Sequence, residues 1–344
     1  MAIPATMMAL LLKEGGYSRE PVGGPLEALQ PYVEAASIEV PQPGPSQLLI
    51  KVRLAAINPS DVAFIRGVYG QPRERGRPPG FEGVGQVVAA GSDAAQAMVG
   101  KRVAFVTGTS NWGSWAEFAV AEAVAAIPLA DTVRDADGAA LIVNPLTALA
   151  MFDIVREEGE KAFILTAGAS QLSKLIMGVA RDEGFRPIAI VRRDDQSKLL
   201  KKAGAAHVLN EASPDFADAL RELLKAEPAR IFLDAVTGPV ASTVFTAMEK
   251  GARWIIYGRL DPSQTTIGEP AQLIFAGKRI EGFWLRDWMQ TAGPRRAQAV
   301  AEVQKRFSDG RWSTDVTAVV PLSEAMARLT AELAKPNGKV FIAP

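Results

Sequence analysis

The sequence has no cysteine and one histidine, His207, in 344 residues. Disulfides, a thiol nucleophile and cysteine-based zinc sites are thereby excluded. A zinc site built on His207 and carboxylates would lack its usual second nitrogen ligand, so no metal is expected. A histidine-based triad has only His207 to draw on, and His207, just after a helix that ends at Gly204, reads as structural. Neither sign of charge is in excess, with 38 Lys plus Arg against 38 Asp plus Glu. A neutral chain has no electrostatic drive toward a phosphate backbone, so nucleic acid is not an expected partner. No apolar run reaches the roughly 20 residues of a membrane span. The apolar opening MAIPATMMALLLKEGG has no basic leading region and holds Pro4. It reads as a first strand and not as a signal peptide, which makes the cytoplasm the expected compartment.

What is present suffices for two cores. Hydrophobic residues make up 48% of the chain and charged residues 22%, an ordinary globular balance. Pro21, Gly23, Gly24, Pro25, Pro41, Pro43, Gly44 and Pro45 punctuate the first third. Between such breaks, QLLIKVRLAAI (47–57), GVGQVVAAG (83–91) and KRVAFVTG (101–108) read as short strands of a β-rich, barrel-like unit. The pattern changes near residue 131. Asn144 and Pro145 read as N-cap and first residue of a helix, and apolar strands then alternate with helices. Such alternation predicts an α/β, doubly wound parallel sheet covered on both faces. The expected division is residues 1–130 with 287–344 as the β-rich domain and 131–286 as the doubly wound domain.

The stretch FILTAGASQLSKLIMGVAR (163–181) is a strand, a tight turn and a helix. A dinucleotide-binding fold places its glycine fingerprint at such a turn. Here only Gly168 is a glycine, followed by Ala169, Ser170, Gln171, Leu172 and Ser173. An anion at this place is held by backbone N–H groups at the helix start, and those survive a change of side chain. Ser170 or Ser173 would cap the helix or meet a phosphate oxygen, and bulky Leu172 would turn into the sheet. An ordinary βα unit remains the other reading. The next strand ends in Arg192 and Arg193, where an arginine suits the 2′-phosphate of NADP and an acid would suit NAD. The alternative for these two is a solvated loop of Arg–Asp pairs.

INPSD (57–61), RGVYG (66–70), GFEGVGQVVAAGS (80–92), NPLTA (144–148), GAAHVLN (204–210), IIYG (255–258) and IEGFWL (280–285) occur in an order that resembles one family. It is the zinc-independent quinone reductase branch of the medium-chain dehydrogenase/reductase superfamily, with the closest look to mitochondrial-type 2-enoyl thioester reductases. The resemblance covers nearly the whole chain. It implies a GroES-like β domain built from both chain ends, an inserted Rossmann domain, NADPH in preference to NADH, no metal, and a homodimer joined along Rossmann sheet edges at the IEGFWL strand. The chain departs from the family where Gln171 and Ser173 replace glycines.

Reduction of a conjugated C=C needs a hydride at the β-carbon, polarisation of the carbonyl and a proton for the α-carbon. Without cysteine, and with His207 structural, the proton comes from Tyr, Lys, a carboxylic acid or water. The resemblance assigns it to Tyr69, a tyrosine being ordinarily protonated at neutral pH. An aromatic plug packing a loop is the other reading of that residue. Asn58 would position the nicotinamide or the substrate carbonyl, or else form a turn before Pro59. Thr147 would face the nicotinamide, with Tyr257 and Gly258 at the carboxyl edge of the sheet and Phe283 and Trp284 lining the same end. The expected function is NADPH-dependent reduction of a small conjugated carbonyl compound: a quinone, an enone or a 2-enoyl thioester. An NADPH-binding redox sensor or partner-binding module with little turnover is the alternative.

Overall fold

The computed structural model describes residues 3–108, 112–335 and 338–344. Along the chain come β1 (Thr6–Leu12), β2 (Val33–Glu39), β3 (Gln47–Ala56), α1 (Pro59–Ile65), β4 (Glu82–Ala90), β5 (Arg102–Val106), β6 (Phe118–Glu122), β7 (Ala126–Pro128) and α2 (Asp135–Ala139). The alternating part follows: α3 (Val143–Glu158), β8 (Ala162–Leu165), α4 (Gln171–Asp182), β9 (Arg186–Val191), α5 (Ser197–Ala203), β10 (His207–Asn210), α6 (Phe216–Ala226), β11 (Ala229–Asp234), α7 (Gly238–Ala247), β12 (Arg253–Ile256), α8 (Ala271–Phe275) and β13 (Arg279–Gly282). Two helices, α9 (Leu285–Thr291) and α10 (Pro294–Ser308), lead to β14 (Val316–Pro321), α11 (Ala325–Leu333) and β15 (Lys339–Ala343).

The chain divides into two compact units, one of residues Met1–Pro21, Pro25–Val143 and Ala301–Pro344, the other of Val22–Gly24 and Asn144–Val300. The sequence reading placed the changeovers at 131 and 287. Residues 131–143 stay with the first unit because Ala139 and Ala140 bury against Ala56, Val84 and Phe341. Residues 287–300 stay with the second because Arg295 of α10 grips Asp153 of α3 through two bonds of 2.7 and 3.0 Å.

In the first unit β3 is the organising strand. β4 runs antiparallel along one edge, while β6 and β15 share the other, β6 on residues 47–51 and β15 on Ala55 and Ala56. The strand LLIKVRLAA is buried on both faces over much of its length because Leu48, Ile50 and Val52 enter one core and Leu49 a second. β14 extends the sheet parallel to β15, and β5 and β7 continue beyond β4.

The second unit is a six-stranded sheet in the order β10-β9-β8-β11-β12-β13, and every neighbouring pair is parallel. Its strands are near-continuous apolar runs such as AFIL, as a sheet covered on both faces requires. Trp254 is fully buried between Phe232 and Phe245, with ring centroids 5.8 and 5.3 Å away. Because all six strands run the same way, the residues that follow them collect at one edge. Thr166, Arg192, Glu211, Ala235, Tyr257 and Phe283 share that carboxyl edge, where ligands of such sheets bind. His207 begins a strand and lies at the opposite edge, paired with Glu227 at 2.9 Å.

Candidate functional site

The turn after β8 shows why one glycine remains in it. Gly168 donates to the Ile190 carbonyl at 2.9 Å, so the turn leans directly on β9. A Cβ at 168 would sit 2.9 Å from Ala189 Cβ and 3.1 Å from the Ile190 oxygen, closer than side chains tolerate. Ala167, immediately before, takes a left-handed φ of 47°, a strained conformation for a residue with a Cβ. Ser170 is the N-cap of α4: its Oγ accepts the Ser173 N–H at 3.1 Å, and the two hydroxyls lie 3.0 Å apart. Ser173 is fully buried and Leu172 turns inward to 9% exposure. Ala169 and Gln171 complete the turn. The twelve residues of α4 direct the positive end of their dipole out of it.

Beyond this turn lies a buried polar knot. Asp234, fully buried at the end of β11, accepts from Thr166 Oγ1 at 2.5 Å, from the indole N–H of Trp254 at 2.8 Å, and from the backbone of Val236 and Thr237. The Tyr257 hydroxyl is buried beside Ser173 and completes no hydrogen bond of ordinary geometry; burial raises its pKa above the normal phenol range. Gly258 lies against Ala235, and a Cβ there would come within 2.9 Å of its carbonyl oxygen.

Arg192 and Arg193 are exposed at the tip of β9. Arg193 faces Asp195 at 3.6 Å. The positive field of Arg192 reaches Glu211 and Asp261; burial nevertheless raises Glu211, while the hydrogen bonds of Ser263 lower Asp261. Thr147 is buried on the first turns of α3. Phe283 and Trp284 follow β13 and line a groove with Trp288, Ala150, Asp153 and Ile154.

In the first unit, the sequence INPSD turns from β3 into α1 with Asn58 as N-cap and Pro59 at the first helical position. Asn58 is 2% exposed. Its Oδ1 accepts from Lys339 and its Nδ2 donates to Glu82 Oε1 at 2.8 Å, so both ends of the amide are engaged. Glu82 in turn accepts the backbone N–H groups of Ile142 at 3.2 Å and Val143 at 2.9 Å. The cap of α3 is therefore supplied from β4, and Asn144, expected as N-cap, lies inside the first turn. Burial raises the pKa of Glu82 and of Asp61, the latter to about 7, and lowers that of Lys339. Tyr69, on the loop after α1, packs against Phe81 with ring centroids 5.2 Å apart. The basic run PRERGRPPG is anchored, because Arg73 is buried and binds the carbonyls of Ile65 and Gly16 while Arg77 pairs with Glu74 at 3.0 Å. The Lys339 and Glu82 partners of Asn58, and the Asp234 knot, were not singled out from the sequence. They were hidden because their partners lie far off along the chain.

Residues 44–131 match the family of alcohol dehydrogenase GroES-like domains, and residues 172–306 match the zinc-binding dehydrogenase family. A solved structure from Mesorhizobium loti, described as a candidate NADPH:quinone reductase, is 69% identical, with a TM-score of 0.97 and 100% of each chain covered. The chain belongs to the zinc-independent quinone and enoyl reductase branch of the medium-chain dehydrogenase/reductase superfamily. This oxidoreductase is also 29% identical to the mitochondrial enoyl-[acyl-carrier-protein] reductase of Bos taurus over 87% of its own length and 81% of the bovine chain. A mycobacterial protein solved in complex with NADPH is 25% identical, with a TM-score of 0.81 over 98% of this reductase and 100% of that chain. Among the described residues of the reductase no cluster of three or more His, Asp or Glu could hold a metal, and no helix is long and apolar enough to cross a membrane.

Proposed function

We propose that this oxidoreductase uses NADPH to reduce a small conjugated carbonyl compound, whether quinone, enone or 2-enoyl thioester. The observation that carries the reading is the turn after β8. Its one glycine is pinned against β9, the N-terminus of α4 opens from it, and the adjoining strand is followed by two arginines. These features fit a dinucleotide phosphate: a helix N-terminus favours the pyrophosphate and guanidinium forks favour the 2′-phosphate. Gly258 adds a second place at the same edge where the backbone has no room for a side chain. The names of the bovine and Mesorhizobium relatives bracket the acceptor class.

Bound there, NADPH supplies a hydride. Ala169, Gln171 and Leu172 would hold the pyrophosphate through their backbone, Ser170 and Ser173 would shape the turn, their N–H groups being taken by the Ala167 carbonyl and the Ser170 hydroxyl, and Arg192 and Arg193 would take the 2′-phosphate. Thr147, Tyr257, Gly258, Phe283 and Trp284 would form the nicotinamide end. Hydride addition at the β-carbon of an enoyl acceptor leaves negative charge on the α-carbon and carbonyl oxygen. Tyr69 Oη gives its proton to the α-carbon; the O–H bond breaks, the C–H bond forms, and the phenolate regains a proton from water. Asn58, 2% exposed and bonded at both ends of its amide, acts in this reading from behind the site. It holds the turn from which α1 and the Tyr69 loop grow. The outermost strand β13 is where we place a second copy in a homodimer.

The test is loss of NADPH absorbance with a quinone, an enone and a short trans-2-enoyl thioester, using wild type and Tyr69→Phe. Turnover of the thioester that falls in Tyr69→Phe with unchanged NADPH binding supports the reading. No turnover on any acceptor would overturn it, and an unchanged rate in Tyr69→Phe would remove the tyrosine from the chemistry.

A further inference from the structure

Asp61 is fully buried, and each of its oxygens serves a different segment. Oδ2 accepts the Asn58 N–H at 2.7 Å and closes the capping box of α1. Oδ1 accepts the Phe81 N–H at 2.8 Å, twenty residues away. A residue that only capped the helix would need the first bond and not the second. The second bond fixes Phe81, whose ring lies 5.1 Å from Phe64 on α1 and 5.2 Å from Tyr69. Tyr69 follows directly from α1 through Gly67, which has a left-handed φ of 75° and rests on the Arg73 guanidinium. The aromatic trio is thus held from both sides by one carboxylate: α1 through its cap, and Phe81 through its backbone.

We propose that Asp61 is a positioning residue for Tyr69, acting through the backbone of Phe81 and the packing of its ring. The proposal rests on the reading of Tyr69 as proton donor. The charged groups facing Asp61 are Glu82 from β4 and Lys339 from β15. Burial, reinforced by Glu82, brings Asp61 to about 7, while the two backbone N–H groups and Lys339 oppose that rise. Ionised, both oxygens accept; protonated, one of them carries a hydrogen and loses its grip on an N–H group. Turnover therefore rises as the pH passes through neutrality.

Two variants test the chain of contacts. Asp61→Asn keeps the shape but offers only one accepting oxygen, which orphans one N–H group. Phe81→Leu keeps the carboxylate bonds and removes the ring against Tyr69. Each is expected to lower kcat on a trans-2-enoyl thioester roughly ten- to hundredfold, the scale of a small misplacement, with the KM for NADPH unchanged. Combined with Tyr69→Phe, neither should reduce kcat further, because residues acting through one group are not additive. The neutral rising limb of kcat should also vanish in Asp61→Asn. Losses that multiply in full with that of Tyr69→Phe would overturn the proposal alone. Wild-type turnover in Tyr69→Phe would overturn the proton-donor reading and this one with it. Should Asp61→Asn fail to fold, the pH profile decides: the neutral rising limb of kcat should be present in wild type and lost in Phe81→Leu, and a limb that persists in Phe81→Leu would overturn the proposal.

Discussion

Lys339 of the last strand donates to the amide oxygen of Asn58, 281 residues earlier, deep inside the first unit. The bond sets which end of the Asn58 amide faces Glu82, and so which way the whole polar chain from β15 to the start of α3 runs. Lys339 is also the cation that acts on both buried carboxyls, Glu82 and Asp61.

Lys339→Met should therefore destabilise the protein by about 2 kcal/mol or more, the scale of a lost hydrogen bond to a charged group. Urea unfolding measures it. The loss should shrink when Glu82→Gln is added, because a neutral partner no longer lacks a counter-charge. An unmoved midpoint in the single variant would show that the chain contributes nothing to stability.

Arg192→Ala with Arg193→Ala should raise the Kd for NADPH by roughly tenfold or more, the loss of one or two charge-assisted bonds. The Kd for NADH should change little, since NADH has no 2′-phosphate. Titration of both cofactors by fluorescence is the measurement, and equal losses would remove these arginines from the phosphate site.

Gly168→Ala should lower stability by about 1–3 kcal/mol, as overpacking does, because β9 lies behind the added methyl. Ser170→Ala should cost about 1 kcal/mol through the lost N-cap of α4. Thermal unfolding compares the two. If Gly168→Ala were the milder, the lean of the turn on β9 would not be what retains its glycine.

The pair on the far edge of the parallel sheet predicts a pH effect. The Arg186 hydrogen bond, aided by His207, draws Glu227 down to about 2. A carboxylate held below its unfolded value adds stability above the usual carboxylate range and loses it as the pH falls toward the folded value. Arg186→Ala should thus lower the unfolding midpoint near neutrality and lose that effect progressively below about pH 4, checked by denaturant titration across that range. A constant difference at every pH would mean that the guanidinium acts by packing alone.

The alternation of strand and helix was legible because each strand is a short, near-continuous apolar run. The runs KAFILTA, RPIAIVR, HVLN, ARIFLDAV and ARWIIYG read as strands, and the strands AFIL, RPIAIV, HVLN, ARIFLD and RWII lie within them. The cap of α3 was not legible. Asn144 before Pro145 is the local signature of an N-cap, yet a carboxylate from β4 takes the N–H groups of Ile142 and Val143. Local rules cannot see a partner some sixty residues away. The same limit hid the engagement of Asn58: INPSD displays an exposed-looking polar motif, and only the meeting of β15 with β3 buries it. In the turn after β8 the sequence showed which residues are small; only the nearness of Ala189 shows why position 168 is the one that stays glycine.

The placement of β15 has a consequence for how the molecule is made. Val340 and Ile342 fill the same core as Leu48, Ile50 and Val52, and Lys339 completes the polar chain around Asn58. During synthesis the inserted unit leaves the ribosome almost entirely before these residues do, so it can condense while the surrounding β structure still lacks a strand. Domains tend to fold as they emerge. The first unit to be started is then the last to be finished, and until β15 arrives Ala55 and Ala56 of β3 lack their partner strand and Leu48, Ile50 and Val52 lack part of their core.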